Sequence, residues 1–204
     1  MGSSRLRAAV LWTGGKDCAL ALQEVRKKVD VVCLTTFVPE KAIFKAHPLS
    51  LMNKQAAALG IRHSKYRVAP PYRKGYANAL KRLRSRYSID VLVTGDIDQV
   101  AGQPNWIRSC AEPLGFKVLT PLWGRDRKAL LERFWRAGFE AVISFVNPPL
   151  GREFIGRKLD RECVRELGRI PGVDLCGENG EYHTMIVSGP GFKSGIKIPF
   201  PVSR

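Results

Sequence analysis

The 204-residue sequence predicts an α/β fold, a parallel sheet with helices on both faces and a smaller C-terminal lobe. Three observations predict it. β-rich runs and helical patterns alternate with short connections, the pattern of βαβ units. The first β-rich run feeds a Gly14-Gly15 turn that opens a helix. The alternation stops near Asn147-Pro148-Pro149, after which the chain is glycine-rich and less periodic.

Each element has its own reason. Ala8 to Trp12 is a short apolar run ending in Thr13-Gly14-Gly15, a buried strand entering a turn. Asp17 to Lys28 places Leu20, Ala21, Leu22 and Val25 at helical spacing and ends in basic residues. Val31 to Val38 is the second β-rich run, Pro48 to Leu59 a helix closed by Gly60, and Ile61 to Val68 a strand. Tyr72 to Tyr87 is a helix, and Ile89 to Thr94 a strand ended by Gly95-Asp96. Asn105 to Leu114 reads as helical within the limit set by Pro113, and Phe116 to Thr120 as a strand stopped by Pro121. Asp126 to Ala137 is a helix with Gly138 just past its end, leading into a strand over Phe139 to Val146. Right-handed crossovers follow by default. We divide the chain at 1–123 and 124–204, the second unit leaning on the open sheet.

Composition sets the class. At 45% hydrophobic and 25% charged, the chain is neither disordered, collagenous nor coiled coil. About 70% of the unfolded surface can be buried at this size, so the core needs no staples. No apolar run approaches the roughly 20 residues that span a bilayer, and the N-terminus does not read as a secretory signal. The cysteines at 18, 33, 110, 163 and 176 are odd in number, widely spaced and without C-x-x-C. That argues against disulfides and a zinc ribbon, and for a reducing, cytoplasmic setting. The 34 Lys+Arg against 18 Asp+Glu give +16, unevenly placed: Lys41 to Ile89 holds twelve bases and no acid. A solvated helix face accounts for part of this. A contact with a polyanion through 41–89 is the other reading.

The turn Thr13-Gly14-Gly15-Lys16-Asp17-Cys18 carries the first chemistry. Glycines let backbone amides approach an anion, and a helix N-terminus supplies unpaired donors and about half a positive charge. Gly95-Asp96 follows a later strand, where a turn-capping role is the plain alternative to Mg²⁺ binding by Asp96 with Asp98. Glu178-Asn179-Gly180-Glu181-Tyr182-His183-Thr184 packs carboxylates, an amide, an imidazole and a hydroxyl into seven residues, with Gly177 and Gly180 marking turns. His47 and His63 read as ordinary surface or cap residues. Trp123 reads as core or cleft mouth, and Arg157 as an anion ligand or a structural ion pair.

The first turn resembles the Ser-Gly-Gly-Lys-Asp-Ser loop of the PP-loop ATP pyrophosphatases, with Thr13 and Cys18 at its two serine positions. Together with Val93-Thr94-Gly95-Asp96-Ile97, Leu119-Thr120-Pro121-Leu122-Trp123 and Gly177 to Thr184, in that order, the chain resembles the diphthine–ammonia ligase family from about Ala8 to Phe192. The resemblance implies a Rossmann-like sheet of the adenine nucleotide α-hydrolase type, in strand order 3-2-1-4-5. It implies ATP on Thr13, Gly14, Gly15, Lys16, Asp17, Cys18, Gly95 and Asp96, with Mg²⁺ held by Asp96. It implies amine and acceptor handling by Glu178, Asn179, Glu181, His183 and Thr184, the base among Glu178, Glu181 and His183 remaining open. The implied reaction adenylates a carboxylate, releases pyrophosphate and transfers ammonia with loss of AMP. In the diphthamide case the carboxylate sits on a modified histidine of translation elongation factor two; a bacterial relative acts on something else. A PP-loop enzyme modifying tRNA is the second reading, and a non-catalytic nucleotide-binding module the third. A homodimer is compatible with each.

Overall fold

The computed structural model describes residues 5–40, 46–99 and 105–198. Lys41 and Lys45 of the basic segment, and the outer ends of both predicted units, lie outside the described residues.

Five parallel strands form the main sheet: β1 (Arg7–Leu11), β2 (Asp30–Pro39), β3 (Arg62–Val68), β4 (Val91–Val93) and β5 (Lys117–Leu119). Their order is β3-β2-β1-β4-β5, as the resemblance implied. The chain leaves β1 and β4, which are neighbours, toward opposite faces. Their carboxyl ends therefore flank the topological switch point.

The helices are α1 (Lys16–Val25), α2 (Leu49–Leu59), α3 (Tyr72–Tyr87), α4 (Trp106–Ala111), α5 (Arg127–Arg136) and α6 (Arg161–Leu167). α1 and α2 cover one face with Leu20, Leu22, Leu51 and Met52, while α3 and α4 cover the other with Leu80, Leu83 and Ile107. Gly60 closes α2 at φ 66, a conformation that costs glycine little. The expected helix over 105–114 divides at Glu112, where Pro113 shifts the chain into a 3₁₀ turn (Glu112–Leu114).

The later part is more regular than its sequence predicts. β6 (Glu140–Val146) pairs antiparallel with β7 (Tyr182–Ser188), an element the glycine-rich pattern concealed. α6 was concealed likewise. β6 and β7 place Ala141, Ile143, Met185 and Ile186 in the same apolar cluster as α1 and α2. The C-terminal lobe thus packs on the α1–α2 face of the sheet. Trp123 is 37% exposed, which excludes the core role. Arg157 makes a bidentate pair with Glu166, at 2.6 and 2.8 Å, which settles it as a structural ion pair.

Candidate functional site

The site begins where β1 ends. Gly15 is the N-cap of α1 and has no side chain to accept an amide. The cap comes from β7: the Lys16 amide donates to Thr184 Oγ1 at 3.0 Å. The Gly14 carbonyl accepts from the Ile186 amide at 2.9 Å and from Gln55 Nε2 at 2.9 Å. Gly14 lies at φ 79, and a Cβ there would strike the Gln55 side-chain amide. A Cβ on Gly15 would lie 3.2 Å from the Thr184 carbonyl oxygen. The two glycines are therefore required by the close approach of α2 and β7 to the turn.

Gln55 is the joint of this arrangement, and sequence reasoning missed it. It is 1% exposed, accepts from Trp12 Nε1 at 3.0 Å, and donates to the carbonyls of Gly14 and Ile186. The one signal was its position: a polar residue four after Leu51, on the buried face of α2. From the other side Gly95 presses on the start of α1. A Cβ on Gly95 would lie 2.6 Å from Cys18 N and 2.6 Å from Asp17 C. Gly14-Gly15 and Gly95-Asp96 are thus brought together at the switch point.

The charged residues divide into two zones. In the first, Lys16 is 5% exposed and points inward, not out of the turn. Its ammonium donates to Asp17 Oδ2 at 2.7 Å and to the Cys176 carbonyl at 2.5 Å, and lies 5.6 Å from the Tyr182 ring centroid. Burial is the largest influence and depresses this group, yet Asp17, Tyr182 and Cys176 together outweigh it and hold the ammonium above its ordinary value. Asp174 accepts from Arg127 Nε at 3.1 Å and from the Cys176 amide at 2.7 Å. Glu178 sits among these groups. Burial first, then the Asp17 and Asp174 carboxylates, push it up to about 7 against the pull of Lys16 and Arg127. Glu181 is spoken for: its carboxylate accepts from the amides of Asp174 at 2.7 Å and Asn179 at 3.0 Å and from Asn179 Nδ2 at 3.1 Å. It shapes the 174–181 loop.

The second zone is a pair of imidazoles. His47 and His183 meet edge to face, ring centroids 5.1 Å apart, with Phe145 5.9 Å from His183. His47 Cε1 would be 3.7 Å from a Cβ on Gly15, and its Nδ1 is buried without a partner among the described residues. Burial, then His183 and Lys16, lower His47 to about 4, and burial and Lys16 lower His183. Both rings are neutral near pH 7. The surface-residue expectation for His47 is corrected: only the fold brings it to the turn. His63 is fixed between Thr36 Oγ1 and Asn53 Oδ1, both at 2.8 Å, away from this pair.

Thr13 is exposed at the outer side of the turn. The Cys18 thiol donates to the Gly15 carbonyl at 3.1 Å, and burial pushes it up to about 11, so it is a neutral packing group. All five cysteines are free and buried. Asp96 is exposed, its Oδ2 accepts from Asn105 Nδ2, and its amide donates to Thr94 Oγ1 at 3.0 Å. Asp98 is paired with Arg127 instead. Among the described residues no group of three or more His, Cys, Asp or Glu forms a metal cluster.

The model of the diphthamide synthase N-terminal domain matches residues 6–118, and that of the C-terminal domain residues 126–200. The diphthine–ammonia ligase of Danio rerio is 30% identical over 126 residues, 58% of this chain and 48% of the relative. The one from Mus musculus is 23% identical over 228 residues, covering 95% of this chain and 83% of the relative. The matched stretch thus spans about half of the first relative's length and most of the second's. A crystal structure described as a predicted subunit of a tRNA methyltransferase from Methanocaldococcus jannaschii has a TM-score of 0.53 at 19% identity. It covers 91% of this chain and 98% of that one, a likeness of fold. With two domain models matched in sequence order across nearly the whole chain, the protein belongs to the diphthamide synthase family.

Proposed function

We propose that this chain is an ATP-dependent carbon–nitrogen ligase that adenylates a carboxylate, releases pyrophosphate and passes ammonia to the acyl-adenylate with loss of AMP. The observation that carries the reading is the docking of β7 on the glycine turn through the Lys16 amide and Thr184 Oγ1. It puts an anion-suited turn and an acid–imidazole motif in one place. On this reading 1–123 holds the nucleotide and 124–204 handles amine and acceptor, in the cytoplasm. The acceptor is the modified-histidine carboxylate of elongation factor two, or a related carboxylate in a bacterium.

The residues fit an anion at the turn. The first turn of a helix leaves amides without intrahelical partners, and Thr184 takes only one of them. Thr13 adds an exposed hydroxyl, and His47 Nδ1 is an unused polar atom beside Gly15. These groups orient the phosphates and stabilise the charge that develops as pyrophosphate departs. Lys16 lends its charge from below the turn, through a buried medium, while tying the turn to Cys176. Mg²⁺ needs only one or two carboxylates beside phosphate oxygens, and Asp96 is the exposed carboxylate at the switch point. When bound, the ion neutralises phosphate charge.

Glu178 titrates near working pH, which suits a group that takes a proton as ammonium becomes ammonia. The neutral His47–His183 pair is placed to accept a proton on the other side of the turn. Glu181 and Asn179 position that loop. The test is AMP and pyrophosphate release from ATP with ammonium and a diphthine-bearing acceptor. Release dependent on both supports the reading. Release dependent instead on tRNA would favour an RNA-modifying enzyme, and ATP binding without turnover a binding module.

A further inference from the structure

The face of the sheet remote from the C-terminal lobe carries an arginine cluster that the ligase reading leaves unused. It lies on β3, at one edge of the sheet, and on α3 above it. The guanidinium of Arg82 stands 5.6 Å from the Tyr66 ring centroid; those of Arg62 and Arg86 each stand 5.4 Å from the Tyr87 centroid. Two of the three cations thus share the Tyr87 ring, whose Oη accepts from the Ser64 hydroxyl at 3.0 Å, and Tyr66 follows Ser64 two residues on, on the same buried face of β3. All three arginines are exposed, and none has an acidic partner or a hydrogen-bond acceptor among the described residues. Lys74 and Lys81, exposed and likewise unpaired among the described residues, extend the charge along α3. A cavity of about 540 Å³ opens beside Arg62 and Arg86, with Arg7 on its wall.

Other bases of the segment have structural duties. Arg84 donates to the carbonyls of Ile89 at 3.2 Å and Leu114 at 2.5 Å and lies over Phe116, and Arg73 donates to Ser109 O at 3.2 Å. Dipole compensation at the end of α3 is met by Arg84, and does not explain Arg62, Arg82 and Arg86. Gathering three like charges without a counterion costs free energy, which a bound anion relieves. Stacking on tyrosine holds the guanidinium forks in place while leaving their N–H groups outward, the arrangement that suits phosphate oxygens.

We propose that this β3–α3 face binds the phosphodiester backbone of a nucleic-acid duplex, independent of base sequence. A backbone is favoured over a protein partner because the three arginines surround no exposed apolar anchor, Tyr72 being exposed at the opposite, N-terminal end of α3. The exposed large hydrophobics are Leu6, Tyr72, Trp106 and Trp123. None stands among the three arginines, and protein interfaces centre on buried aromatic or aliphatic anchors. Base stacking is disfavoured because Tyr66 and Tyr87 are themselves buried, at 6% and 8% exposure. Affinity should then come from charge, with steep salt dependence.

The test is anisotropy of labelled RNA and DNA duplexes of equal length, with the full chain, across salt. Five phosphate contacts at a log–log slope of about −0.9 each imply a loss of several hundred-fold between ~50 and ~200 mM salt. The Arg62→Gln/Arg82→Gln/Arg86→Gln variant should lower the slope by about 1 per residue, leaving a loss near ten-fold over that range. Lys74→Gln/Lys81→Gln, which leaves the packing on the tyrosines intact, should lower it by about 2. ATP turnover, assayed in parallel, should be unchanged by both variants, so the two readings fail separately. RNA tighter than DNA identifies RNA as the source of the backbone, and equal binding a general duplex surface; both support the proposal. No retention of either duplex at ~50 mM salt, an unchanged slope in both variants, or tighter retention of polyglutamate than of either duplex overturns it.

Discussion

The Thr184 hydroxyl replaces the cap that Gly15 cannot supply, and Lys16 answers the contact by sending its ammonium back to Cys176. Lys16 is therefore a joint as much as a ligand. Lys16→Met should cost roughly 2 kcal/mol through lost charge-assisted hydrogen bonds, and lower Tm by roughly 4–8 °C. A variant with wild-type Tm but lost ATP binding would show the ammonium turned outward instead. Glu178 gives a second test. Its carboxyl goes from 4.5 to about 7 on folding, so between those values the folded state binds the proton more tightly. Stability then falls as pH rises through that window, and is level above it. Glu178→Gln should remove this slope, seen as a difference between the two Tm–pH curves; parallel curves would contradict the shift. Turnover that needs the ionised carboxylate should rise through about pH 7 in the wild type and lose that limb in the variant.

Among elements, the contact between the end of β4 and the start of α1 is one of backbone on backbone. Gly95→Ala puts a methyl 2.6 Å from backbone atoms of Asp17 and Cys18, which cannot swing aside. We expect a loss of roughly 1–3 kcal/mol, read from the denaturant midpoint, together with weaker ATP binding. An unchanged midpoint would mean that α1 slides freely on the sheet. β1 to β5 and the helices between them were legible in the sequence because each pairs a β-rich run with a helical period and a glycine or proline stop. α6 was not, since in RECVREL only Cys163 and Leu167 are buried, too few to set a period. β7 was hidden for another reason: its first three residues, Tyr182 to Thr184, belong to a polar motif read for chemistry, and its pairing partner lies about 40 residues back in β6. His47 and Gln55 were illegible as site residues because each acquires its role from a contact more than a hundred residues away, with His183 and with Ile186.

Over the whole molecule, one apolar cluster joins α1 and α2 to α5, β6 and β7, while Arg62, Arg82 and Arg86, from the segment that holds twelve bases and no acid, gather on the far side of the sheet. The proposed ligase site and the cationic face therefore occupy different surfaces. Fragment 1–123 should fold less stably than the full chain and bind ATP more weakly, because Gly14 O and the Lys16 amide lose their β7 partners; calorimetry on both would decide, and equal affinity would place the nucleotide contacts wholly within the first unit. The same cap has a consequence in time. Its two partners are 168 residues apart, which at roughly 5–20 residues per second is about 8–34 s of synthesis. A nascent chain thus carries an unfinished turn until Thr184 has been made and has folded back onto it, so on the ligase reading the nucleotide site stays incomplete throughout that interval.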